Sequence, residues 1–411
     1  MATKAVKYEP TRLGGFDLLR VSAAIAVVLL HAAVPYLIHP LPGLVWPVRD
    51  VPNGVAHWAG WSIELIIMPL FLLMAGYFAW SQLQRVGRQK FLRNRFLRLI
   101  LPLVVLGIPL LIADLHIWVT GWVIEGVTTA RKLRSFAFDY GEDEHLWGLG
   151  HLWFLQYAFL YCAALAILES KQRWVAQRPL LTTSVLACIG VVTLTVSPEV
   201  VFGFQHAYLP VPSKWAYCGT FFWGGAIIAS APALSNWTRD RVGWLLAAGS
   251  VATVIGVVLG GELIVAGKLV PSSVGGVDGW AMRLVAAVMA VLAGWLIPLG
   301  LLFLAQRVPL RSGPKLTYFA AASFWVYLIH HPIVGLSHIT LKLHGGFLPA
   351  WGKMLVASGV GLVFSLLTFE VFVRRWPLAG LLGTPSHLRK QAVGSNTRTP
   401  AFEERPLKQA A

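Results

Sequence analysis

The chain has 411 residues, of which 56% are hydrophobic and only 13% charged, with a mean hydropathy of +0.66. That balance excludes an ordinary soluble domain. The net charge of +16 does not point to nucleic acid, because the cations collect in the short connections between apolar runs, where they orient a membrane protein. Cys162, Cys188 and Cys218 all fall inside apolar runs without metal-type spacing, so neither a disulfide framework nor a zinc site is expected.

About 20 apolar residues cross a bilayer as a helix, and ten such segments are predicted: 16–38, 59–81, 97–118, 150–169, 180–198, 215–234, 243–264, 281–304, 317–340 and 354–373. The fold class is all-α, a polytopic membrane protein of about ten transmembrane helices. The basic N-terminal segment 1–15 and a polar tail at 384–411, which has the composition of a disordered segment, both belong on the cytoplasmic side. Residues 16–383 form one transmembrane domain.

The first segment carries Arg20 and His31. Eleven helical steps bring them back to one face, roughly 16 Å apart along the axis. Ionisable groups within a bilayer are costly and usually do chemistry, although a snorkelling arginine and a structurally satisfied histidine are the plainer alternative. Asp17 lies one turn before Arg20, close enough to pair with it. The segment lacks a convincing small-residue cleavage site, so it reads as a retained helix rather than a signal peptide.

In the second segment Glu64 sits five residues in. Six cations between Arg85 and Arg98, including Arg93 and Arg95, enter the third segment, and Glu370 lies at the same level on the last. They suit either anionic lipid headgroups or a phosphate-rich ligand, whose oxygens match arginine forks. His151 opens the fourth segment, followed by Trp153. His330 and His331 lie nearly as far beyond Thr317 on their segment as His31 lies beyond Phe16 on its own, so the three share a depth. Three histidines at one level with Glu64 above favour proton-transfer chemistry. The 18 tryptophans suit interfacial belts, and Trp46, Trp122 and Trp147 in outer loops are also placed to stack on sugar rings. An inner phosphate-binding pole and an outer histidine pole suggest a reaction spanning the bilayer.

Arg20 followed by ten residues and His31 resembles the hallmark of the acyltransferase 3 family. The segment Met68 to Phe78 resembles its phenylalanine-rich second helix, and Arg95, Arg98 and Pro102 resemble its basic entry to the third. His151-Leu-Trp-Phe-Leu155, Tyr327-Leu-Ile-His-His-Pro332 and Phe369-Glu370 are similar to the branch that contains the glucans biosynthesis protein C. The resemblance implies a cytoplasmic acyl-CoA donor, an extracytoplasmic carbohydrate acceptor and an inner-membrane location; thiolate is a good leaving group and the sequence shows no convincing metal set, so no bound cofactor or metal is expected. The resemblance further implies O-acyl transfer, succinyl or acetyl, most naturally to a periplasmic glucan. By the same resemblance His31 is the catalytic histidine with Arg20 as its partner, and His330 and His331 line the reaction chamber; with Asp17, placed to pair with Arg20, they complete the expected catalytic set. Arg93, Arg95, Arg98 and Glu370 belong to the donor side; Glu64, His151 and Trp153 belong to the acceptor side. Ala75 and Ile67 depart from the pattern, standing where relatives commonly have Ser and Arg. An exporter of a glycan or lipid-linked intermediate is the alternative reading.

Overall fold

The computed structural model describes residues 14–374, apart from 140–142, 144, 206, 270–276 and 311. Ten long helices organise it: α1 Gly14–Ala33, α2 Gly54–Val86, α3 Arg88–Ile124, α4 Gly150–Ile167, α5 Pro179–Val196, α6 Pro212–Ser230, α7 Val242–Val265, α8 Val277–Arg307, α9 Pro314–His344 and α10 Ala350–Arg374. Among the described residues there is no strand, and nine helices are long and apolar enough to cross a membrane. The protein is therefore an all-α, multi-pass membrane protein.

The helix outside that set is α6, which covers most of the predicted segment 215–234. It is shorter than predicted and begins with Pro212, Ser213 and Lys214; a separate helix, Pro232–Asp240, takes up the rest. Its middle is nevertheless buried, with Phe221 and Phe222 fully enclosed. The predicted terminal segments lie almost wholly outside the described residues.

Two local features place the site. Asn53 caps α2, its side-chain oxygen accepting from the N–H groups of Val55 and Ala56 at 3.0 and 3.2 Å. The helix therefore starts at Gly54, and Glu64 lies ten residues inside rather than five. At 1.5 Å per residue this moves it roughly 7 Å deeper than predicted. Second, proline interrupts the helices that line the interior: Pro69 in α2, Pro109 in α3, Pro298 in α8 and Pro332 in α9. Each removes an amide donor and frees the carbonyl four residues earlier.

The connection between α1 and α2 folds back over the helix ends. Pro35 and Tyr36 carbonyls accept from the N–H groups of Asp50 and Asn53. Indole N–H groups of Trp61, Trp118 and Trp122 donate to the carbonyls of His39, Val45 and Trp46 at 3.0, 2.8 and 3.2 Å. These tryptophans thus spend their donors on the backbone of a buried loop. Trp46 and Trp122 are buried with them, whereas Trp147 remains 41% exposed.

Lys353 at the start of α10 fastens the same loop, donating from Nζ to Asp50 Oδ2 at 2.7 Å. Burial pushes the Asp50 carboxyl upward, but the Lys353 hydrogen bond, the Val51 N–H and the charges of Lys353 and Lys342 outweigh it. The result lies below the ordinary carboxylate value. A carboxyl depressed in the folded state stabilises the fold above its unfolded pKa, and that stability is lost as pH falls through the folded value. Asp50→Asn is therefore expected to melt below the wild type at pH 7. The gap should narrow once the pH falls below about 4, the unfolded value. A gap independent of pH would contradict this account.

Candidate active site

Helices α1 and α9 pack side by side, and His31 and His330 lie almost equally far from the helix starts at Gly14 and Pro314. The two imidazoles meet, His31 Nδ1 to His330 Nε2, at 2.8 Å. The proton positions follow from the partners. His330 Nδ1 faces the carbonyls of Val326 and Tyr327, both at 2.9 Å, and only an N–H satisfies them. A neutral His330 then accepts at Nε2, so His31 donates from Nδ1 and its Nε2 carries the lone pair. His31 lines an interior cavity of about 400 Å³. His330 is fully buried behind it, with both nitrogens engaged, and does not reach the cavity. Its task is to hold the tautomer of His31.

His331 turns to another partner, its Nδ1 lying 3.0 Å from Asp114 Oδ2 on α3. His151, at the head of α4, stacks on His331 with ring centroids 4.4 Å apart. The local sequence explains how His151 is held. Pro332 has no N–H for the carbonyl of Leu328, four residues before it, and His151 Nε2–H donates to that carbonyl at 2.9 Å. The Tyr327 hydroxyl donates to the His151 carbonyl. Tyr327-Leu-Ile-His-His-Pro332 thereby supplies two anchors for a histidine on another helix. Pro332→Ala offers Leu328 a helical donor again, in competition with His151, and is expected to lower turnover by up to about tenfold, the worth of one hydrogen bond of about 1 kcal/mol. Unchanged kcat in a well-folded variant would refute the anchoring role.

His151 Nδ1 and Asp114 Oδ1 are buried without hydrogen-bond partners. One ligand atom each from Asp114, His151 and His331 lie within 4.8 Å of one another, the only such group among the described residues. The rings of His151 and His331 are nearly parallel, at 23°, so their in-plane lone pairs run along separate lines. Holding a metal ion there requires one ring to turn.

Trp46 completes the enclosure. Its ring lies parallel to that of His31, with centroids 5.9 Å apart, and its indole N–H donates to His338 Nδ1 at 3.0 Å. His338 must then carry its proton on Nε2, which donates to the Ala32 carbonyl at 3.2 Å.

Glu64, His151 and Trp153 all line the cavity, together with Asp114 and Lys214. Arg20, Asp17 and the basic entry of α3 do not. Asp17 accepts from the Ser312 hydroxyl at 2.8 Å, and Arg20 stands 3.9 Å from it with its guanidinium over Phe78. Arg95 donates to Gln82 at 2.7 Å and covers Phe91, whereas Arg93 and Arg98 are exposed. Glu370 receives Arg374 on both oxygens at 2.9 Å. Two π-helical turns carry Arg98 and Glu370, at Phe96–Ile100 and Phe369–Arg374. Such turns are frequent at functional positions.

Asp114, Lys214 and His338 were not among the residues expected from the sequence. A lone carboxylate within the apolar run Leu110-Leu-Ile-Ala-Asp-Leu115 is the signal that could have found the first. The other two stand near predicted segment ends, where a charge is unremarkable.

The fold and site define a multi-pass membrane protein with a histidine-lined interior cavity. The sequence profile of the acyltransferase 3 family, described as an acyltransferase domain, matches residues 13–370, and the chain belongs to that family. It is a membrane acyltransferase. No curated protein and no solved structure matches the chain.

Proposed function

We propose that the protein is an inner-membrane O-acyltransferase that carries an acyl group, succinyl or acetyl, from cytoplasmic acyl-CoA to a hydroxyl of an extracytoplasmic glycan, most naturally a periplasmic glucan. The observation that carries this reading is the His31–His330 contact, which leaves the His31 Nε2 lone pair as a basic atom at the cavity. His31 removes the proton of the attacking hydroxyl as its oxygen bonds to the thioester carbonyl carbon. The tetrahedral intermediate collapses with cleavage of the C–S bond, and the proton passes from His31 to the departing thiolate. General-base assistance of this kind typically contributes 10²–10⁴-fold. The positive charge that forms on His31 is spread through its Nδ1–H to His330 and on to the backbone carbonyls of Val326 and Tyr327. Asp114 acts one step away, holding His331 against the cavity. Arg93, Arg95 and Arg98 are the candidates for the donor's phosphates. Arg20, Asp17 and Glu370 form ion pairs that stiffen that end of the bundle. On the acceptor side are Glu64, His151 and Trp153.

The test is mass spectrometry of periplasmic glycans from cells lacking the protein, complemented with wild type or with His31→Ala. The expected result is an acyl mass increment with wild type and none with the expressed variant. An increment that survives His31→Ala overturns the catalytic assignment. No glycan difference in any strain overturns the choice of acceptor.

A further inference from the structure

Lys214 is 6% exposed, lies at the head of α6 and lines the same cavity as His31. Its ammonium rests over the faces of Trp153 and Phe204, 3.9 and 5.1 Å from the ring centroids. It makes no hydrogen bond or ion pair among the described residues. Glu64 lines the cavity as well and attracts Lys214 through space, but the two are not in direct ion-pair contact. A cation so enclosed is costly unless an anion joins it, and aromatic faces recover only part of that cost.

A second feature points the same way. Helix α6 is 19 residues long, and no side chain caps its N-terminus. The residue before it, Val211, gives its own N–H to the Tyr157 hydroxyl at 2.8 Å and has an apolar side chain that cannot accept. Pro212 contributes no donor. The positive end of the helix dipole at Pro212–Lys214 thus lies on the same turn that carries Lys214, an arrangement that suits a bound anion. Tyr217 and Cys218, one turn on, also face the cavity.

We infer that Lys214 and the head of α6 form a subsite for a carboxylate carried by a substrate, inside the reaction cavity. Resting on the transferase reading above, this makes Lys214 the specificity determinant for a charged group. Two sources fit the chemistry: the distal carboxylate of a dicarboxylic acyl group, and an acidic substituent on the glycan. A neutral acetyl group leaves the cation unmatched.

The experiment uses the full-length protein in lipid nanodiscs, as wild type, Lys214→Met and Lys214→Arg. Calorimetric titration with monomethyl succinate against methyl butyrate reads the subsite without turnover. Wild type and Lys214→Arg are expected to bind the carboxylate at least tenfold more tightly than the neutral ester, and Lys214→Met is expected to lose that preference. Equal binding of the two esters by wild type, or a preference kept by Lys214→Met, overturns the proposal. Turnover then assigns the source. A ratio of kcat/KM for succinyl-CoA over butyryl-CoA that falls at least tenfold in Lys214→Met places the carboxylate on the acyl group. A fall that tracks acidic against neutral acceptors places it on the glycan. If wild type cleaves no thioester, the transferase reading fails on its own, while the titration still decides the subsite.

Discussion

His31→Ala is expected to lower kcat for thioester cleavage by on the order of 10²–10⁴, the range of a lost general base, with little change in KM. The imidazole is one wall residue of a cavity of about 400 Å³, so ground-state binding has many other contacts to rest on. Proton removal is assigned to His31 Nε2, the lone pair left when Nδ1–H is fixed by the hydrogen bond to His330 behind it. The neighbouring histidines are otherwise committed: His330 to two carbonyls and His31, His151 to Leu328, and His331 to Asp114. His330 cannot step in without breaking a bond that a buried polar group needs, and rescue by the unpaired Nδ1 of His151 would show as residual activity that a further His151→Ala substitution removes. His330 acts through His31, so its variants should grade by what they offer the Nδ1–H. His330→Gln keeps an acceptor and should retain more activity than His330→Phe, which leaves that N–H buried and unmatched. Free-thiol release by purified protein measures all three. A His31→Ala enzyme within threefold of wild type sinks the assignment, and equal losses for the two His330 variants reduce His330 to a packing residue.

The membrane helices were legible because hydrocarbon leaves the chain few options: every backbone group must bond within its own segment, and apolar length decides where. The likeness in depth of His31, His330 and His331 followed from counting along segments taken as parallel. Rotation about each axis was not legible, and it separated the residues that look equivalent by depth. His330 turns behind His31, His331 turns to Asp114, and Glu64 turns to a different part of the wall. Asp114 joins the cluster from α3, far from His331 in the sequence, a pairing no local pattern announces. Arg20 and His31 belong to one helix as expected, but the lower residue lays its guanidinium over Phe78 beside Asp17, and only the upper one reaches the cavity. Trp46 and Trp122, read from the sequence as outer-loop residues, are buried for a physical reason. In a loop that must fold back into the protein, an indole N–H is a ready donor for buried carbonyls, and Trp118 and Trp122 serve that need.

Helix α2, which carries Glu64, crosses α6, which carries Lys214, and the crossing depends on two glycines used reciprocally. A Cβ on Gly76 of α2 would fall within bonding range of the Phe222 carbonyl of α6. One on Gly225 of α6 would do the same at the Leu73 carbonyl of α2. The obstructions are backbone atoms, so no side-chain rotation relieves them. Close approach through small residues is how helices gain contact in lipid, where the hydrophobic effect gives them little. Gly76→Val must therefore push the helices apart along a crossing that buries Leu73, Phe221 and Phe222. The expected loss is at or above the upper end of the about 1–3 kcal/mol that overpacking usually costs, with most of the protein failing to reach a monodisperse state. Gly359 on α10 has open space where its Cβ would stand. Gly359→Ala should instead stabilise by up to about 1 kcal/mol through reduced freedom of the unfolded chain. Thermal unfolding in detergent, followed by size exclusion, compares the two. A Gly76→Val protein that melts within a degree of wild type would mean that the helices can part without cost. Glu64 and Lys214, one on each helix, would then not depend on this crossing for their placement in the cavity wall.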